Sequence, residues 1–144
     1  MNSKLQKQTS QFMKKFLILT SFFLISNLSS AQTQLEINAT ANTDFQKADK
    51  ELNSTYKKIL KEYSTDLLFI KNLKIAQNIW IKFRDAEMNM KYPQKEPGYY
   101  GSIFPTCWNT YMAELTQKRS KELKIWLTGI PEGDTCSGSV KMIN

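Results

Sequence analysis

Three carboxylates in the middle of the chain have the spacing and neighbours to do chemistry: Asp49, Asp85 and Glu87. Paired acids of this kind carry sugar hydrolysis, one as general acid and one as nucleophile or base. Here each stands beside a cationic or amide partner, which favours the ionised form and makes a poor general acid at neutral pH. The chain has no histidine, so a nucleophile would lack its usual base. No glycine-rich phosphate cradle and no metal-ligand cluster occurs. No catalytic residue, metal or cofactor is therefore expected, and the domain is read as non-enzymatic.

The same polar residues fit a structural role. Asp49, Asn53 and Tyr56 share a stripe on one helix. Gln77, Trp80, Arg84 and Asp85 lie on a second, and Thr116 and Arg119 on a third. An arginine beside a buried tryptophan needs partners, because an unpaired buried charge is costly. Asp49 and Asp85 are the acids expected to supply them, in a network fixing the register of three helices. A second group, Glu96, Tyr99, Tyr100 and Phe104 with Trp108 nearby, crowds a stretch containing two glycines. Exposed tyrosines anchor protein interfaces and stack on sugars. These side chains either bind a partner or fold back over the end of the helices.

Three amphipathic helices must position these groups. Phe45, Ala48, Leu52, Tyr56, Ile59, Leu60 and Tyr63 mark the first, starting near Asp44 as a cap. Leu73, Ala76, Trp80, Phe83 and Glu87, widened by Ile75 and Ile79, mark the second, with Asp66 placed to cap it. Tyr111, Met112, Leu115, Leu123, Trp126 and Leu127 mark the third, which Gly129 and Pro131 stop. Between Tyr92 and Pro105, the breakers Pro93, Pro97, Gly98, Gly101 and Pro105 define a long loop. The expected fold is all-α, a three-helix bundle with a long aromatic loop between helices 2 and 3.

The chain has 144 residues and a formal charge of +7, enough for one ordinary domain. Lys14 and Lys15 precede the apolar run Phe16–Ile25, and small residues follow at Ser29, Ser30 and Ala31. This pattern predicts a secretory signal peptide over 1–31, with Met13 as an alternative start. The apolar run is short of the ~20 residues a membrane span needs. The segment holds Lys4, Lys7, Lys14 and Lys15 and no acid, so the remainder carries +3. Basicity is then weak support for nucleic-acid binding, and neither nucleic acid nor, after cleavage, membrane is expected as a partner. Residues 32–43 read as a flexible mature N-terminus, 44–128 as the helical domain and 129–144 as a tail.

Lysines and acids at helical spacing, Lys47/Glu51, Lys58/Glu62, Glu114/Lys118 and Lys118/Glu122, read as solvated faces. The two cysteines, Cys107 and Cys136, read in an exported chain as one disulfide closing about 30 residues, worth roughly 3–4 kcal/mol. The other reading is a pair of thiols. A zinc site has too few ligands.

Ala48-Asp-Lys-Glu-Leu-Asn-Ser-Thr-Tyr56, Ala76-Gln-Asn-Ile-Trp-Ile-Lys-Phe-Arg-Asp85, and Cys107 followed by Leu115-Thr-Gln-Lys-Arg119 and Leu123 occur in that order. Together they resemble the LprI-type lysozyme-inhibitor N-terminal domain family over nearly all of the expected mature chain. The resemblance implies a small, helical, exported, cysteine-bearing domain, periplasmic or extracellular. It implies a lysozyme-like enzyme, or another envelope component, as partner. Met88 stands where many members have a cysteine, and a cysteine near the start of the first helix is also missing. Cys136 is thereby left as the expected partner of Cys107.

Overall fold

The computed structural model describes residues 33–133 and 135–143. The expected signal segment 1–31 lies outside them. The compact body is Asn38–Asn144. Helix α1 covers 33–62, α2 covers Leu67–Lys91 and α3 covers Phe104–Thr128. Two-residue strands, β1 (Ile130–Pro131) and β2 (Met142–Ile143), pair in parallel with Ile130 opposite Met142. The all-α, three-helix arrangement expected from the sequence is the one observed.

Residues 33–43, expected to be flexible, are helical. Alanines at 39 and 41 are the strongest helix formers, and Ala41 is buried. Thr43 Oγ1 donates to the Ala39 carbonyl at 2.9 Å, and Thr106 Oγ1 of α3 donates to Asn38 Oδ1 at 2.5 Å. Asp44 is consequently no cap: it lies inside α1, 3.3 Å from Lys47 Nζ. Asp66 does cap α2, its carboxylate accepting from Phe69 N at 2.9 Å. Pro105 occupies the first turn of α3, where its missing N–H costs no helical bond.

Leu52, Ile59, Leu73 and Leu123 form the core, with Tyr56, Leu60, Tyr63, Phe69, Trp80, Trp126 and Leu127 packed against it. Small residues line much of the buried faces, Ala41 and Ala48 on α1 and Ala113 and Ser120 on α3. Tertiary contacts also redirect the surface charges. Glu51 accepts from Lys124 of α3, and Glu62 accepts from Lys141 of the tail at 2.6 Å.

On α2 the expected inward stripe is only half right. Leu73, Gln77 and Met88 are buried, and Trp80, Arg84 and Glu87 are half-buried. Ala76, Phe83, Ile75 and Ile79 face outward. The helix carries two apolar stripes about a third of a turn apart. The one holding Trp80 reaches the core, because Gln77 and Trp80 meet Arg119 of α3.

The expected Cys107–Cys136 disulfide is not formed. Cys107 lies in the first turn of α3 and Cys136 follows its far end. From Cys107 to Gly129 the helix rises about 33 Å. Seven residues of fully extended chain return at most about 25 Å, and a disulfide spans about 6 Å between Cα atoms. The tail, moreover, turns back at once. Ile130 N donates to Lys141 O at 3.0 Å, and Trp126 Nε1 donates to Ser139 Oγ at 3.0 Å.

Gly129 makes that turn possible. Its φ is +79°, and a Cβ there would stand 2.7 Å from Ile143 Cγ2 and 2.9 Å from Lys141 O. Gly129→Ala is expected to cost about 1–3 kcal/mol, read as a lower melting temperature. An unchanged melt would mean that the tail is not seated against this turn.

Candidate functional site: an aromatic recess beside the α2–α3 loop

The chain leaves α2 at Tyr92, whose N–H still bonds the Met88 carbonyl at 2.8 Å. Prolines and glycines then prevent a helix from re-forming until Phe104. Short turns replace it: Tyr99 N donates to Glu96 O, and Gly101 N donates to Gly98 O. Gly98 and Gly101 take φ values of +85° and +71°, which side-chain-bearing residues rarely adopt.

These turns gather the loop aromatics onto the ends of α2 and α3. Tyr92 is the hub, with ring centroids 5.9 Å from Tyr100, 5.6 Å from Phe104 and 5.8 Å from Trp108. Tyr100 stacks on Phe104 at 4.9 Å and 17°, and its Oη donates to Pro93 O at 2.7 Å. Tyr99 meets Tyr100 edge-on at 4.9 Å yet stays 61% exposed. A recess of about 410 Å³ opens here, lined by Asn89, Tyr92, Glu96, Tyr99, Tyr100, Phe104 and Trp108 among others. The fold-back reading therefore describes part of this group. Tyr100, Phe104 and Trp108 fold back as a base, and Tyr99 with Glu96 forms the exposed rim. All four expected binding residues, Glu96, Tyr99, Tyr100 and Phe104, come together.

Sequence reasoning missed the hub. In the sequence Tyr92 marks only the loop boundary, although a helix-terminal aromatic before a proline-rich loop is well placed to hold it. Burial, reinforced by the charges of Cys107 and Glu114 and by Tyr100, raises its hydroxyl pKa above 10.0. Lys95 Nζ lies 5.6 Å from the Tyr99 ring. The recess thus offers apolar rings with one carboxylate and one ammonium in the loop that forms it. This suits a protruding side chain or a sugar ring.

The expected polar network is smaller and more local. Arg119 Nε donates to Gln77 Oε1 at 3.1 Å, joining α3 to α2. Arg84 and Arg119 both lie over Trp80, 5.5 Å and 6.0 Å from its ring. Arg84 does not reach across helices, because Asp85, the adjacent residue, takes it at 2.7 Å. Arg119 pairs with Glu122 at 3.5 Å rather than with Asp49. Asp49 stays on α1 and accepts from Asn53 at 2.8 Å. Thr116 Oγ1 donates to the Met112 carbonyl of its own helix, and Tyr56 packs half-buried on the core. Glu87 accepts from Tyr111 Oη at 2.8 Å. The three candidate catalytic acids thus take separate partners.

Fold and recess define the class: a small three-helix domain with an aromatic recess beside the loop that joins its second and third helices. The family model described as "Lysozyme inhibitor LprI" matches residues 26–123, spanning all but the last residues of α3. The chain belongs to the LprI lysozyme-inhibitor family. It is 33% identical over 105 residues to "Uncharacterized protein R02472" of Rhizobium meliloti (strain 1021), covering 65% of this chain and 73% of that protein. No solved structure matches.

Two predictions follow from these contacts. Arg119→Ala strands the buried Gln77 amide and is expected to cost about 1–3 kcal/mol. Arg84→Ala exposes only an already exposed acid and should cost clearly less, since surface pairs give about 0–1 kcal/mol. Denaturant melts of both check the order. Tyr92, Tyr56 and Tyr111 all have raised pKa values, Tyr111 chiefly through its hydrogen bond to Glu87. The folded state then holds protons that the unfolded state releases. Stability is full below the ordinary tyrosine value of 10.0 and falls as pH rises through the raised values. Tyr92→Phe and Tyr111→Phe should flatten that alkaline loss.

Proposed function

We propose that this protein is an exported inhibitor that binds a lysozyme-type muramidase through the aromatic recess. Family membership supports the inhibitor class. The observation that carries the site is Tyr99, an exposed ring set edge-on against a packed aromatic base. Ring-on-ring packing fixes its orientation before any partner arrives, which lowers the ordering cost of binding. Glu96, exposed in the same recess, supplies an acid for a basic partner. Long-range steering is weak, because the chain is itself cationic.

A second reading is an envelope glycan-binding module with no effect on lysozyme. The same ring beside the polar groups of Asn89 and Glu96 would stack on a sugar face.

Lysis of a peptidoglycan suspension by several lysozyme classes, with the protein titrated in, separates the readings. The inhibitor reading expects saturation near one equivalent with one class. Tyr99→Ala should weaken inhibition at least ten-fold, as a hot-spot ring does, and leave the melting temperature unchanged. Tyr100→Ala should lower both potency and stability, since Tyr100 is part of the base. No inhibition of any class, with retention on insoluble peptidoglycan, would replace the first reading by the second.

A further inference from the structure

The outward stripe of α2 is the most anomalous surface of the molecule. Leu68, Ile75, Ile79, Phe83 and Met90 recur at helical spacing and are between 48% and 70% exposed. They form one ridge about 33 Å long. An apolar ridge of this extent on a soluble domain marks a binding surface. Lys71, Lys74 and Lys82 run along one side of it, all exposed, and none has an ion pair among the described residues. The acids of α2 are engaged elsewhere, Asp85 with Arg84 and Glu87 with Tyr111. At its start the ridge meets a cleft of about 370 Å³, where Leu68 adjoins Phe69, Leu73 and Trp126.

We infer that this face of α2 docks on an anionic lipid surface, lying in the interface with the ridge among the acyl chains and the lysines at the headgroups. Two observations select that occupant. Antiparallel pairing with a second copy would bring the lysine edges to the same side, while α2 has no unengaged acid to meet them. An anionic surface attracts the same edge, each lysine near it adding to the attraction. The ridge is also the convex side of a single helix. A protein would need a matching groove, whereas a lipid interface yields to such a helix. No described helix is long and apolar enough to cross a membrane, so the geometry is one of lying on the surface. It departs from the sequence expectation of no membrane contact, and it is independent of the aromatic recess.

Phe83→Trp in the full chain places a reporter on the ridge, and Phe83 is exposed enough for the variant to fold. The probe is a vesicle of phosphatidylglycerol, compared with one of phosphatidylcholine. The added tryptophan should shift to the blue, and be quenched by brominated lipid, on the anionic vesicle alone. The effect should weaken at 1 M salt, where the screening length falls to about 3 Å. It should be lost when Lys71, Lys74 and Lys82 are changed to glutamate. This readout is local to α2, so attachment through the apolar run near the N-terminus cannot imitate it. No shift on either vesicle, or an equal shift on both, overturns the inference. A shift that grows with protein concentration in the absence of vesicles also overturns it and assigns the ridge to a second copy.

Discussion

Among the described residues, the central apolar cluster of the three helices is four buried side chains, Leu52, Ile59, Leu73 and Leu123, with Met88 buried besides. So small a core constrains everything around it. Much of the remaining buried surface is alanine, serine and threonine, which bury little apolar area each. Half-buried aromatics must supply the rest: Tyr63 and Phe69, 4.5 Å apart, and Trp126 beyond them. One buried hydroxyl, Ser120 Oγ, has no hydrogen-bond partner among the described residues, a local cost of building the core from small polar residues.

The narrow core also explains the polar seam between α2 and α3. Trp80 cannot be covered by leucines that are not there. Two guanidiniums cover it instead, each held in place by its own acceptor, Asp85 for Arg84 and Gln77 for Arg119. Planar guanidinium groups stack on indole while keeping their in-plane hydrogen bonds. Gln77, Trp80, Arg84, Asp85 and Arg119 all lie within the segments that resemble the LprI family, so the resemblance bears on the scaffold. The recess is a separate construction, tied to that scaffold through Tyr92 at the end of α2 and through Phe104 and Trp108 at the start of α3.

Function divides along the same line. A packed aromatic base with an exposed rim is the surface we propose for recognition of one protruding group, and the family assignment supports the inhibitor class. The outward ridge of α2 serves neither core nor recess. Its exposure follows from the geometry of α2, which has apolar residues on two faces and packs through one.

Much of the architecture was legible in the sequence. Helical spacing, the Asp66 cap, the Gly129 stop and the breakers around Gly98 and Gly101 are local signals, and local signals persist in the folded chain. The grouping of Glu96, Tyr99, Tyr100 and Phe104 was legible too, because all four fall within nine consecutive positions. Tertiary structure alone decided the rest. Periodicity finds both stripes of α2 but cannot say which faces inward, since that depends on where Gln77 and Trp80 meet Arg119. Residue type names two cysteines but not the straight helix that separates them. Spacing offers Asp49 to an arginine, while the fold gives that arginine Gln77 and Glu122. In each case the deciding quantity is a distance between residues far apart in sequence, which pattern along the chain does not contain.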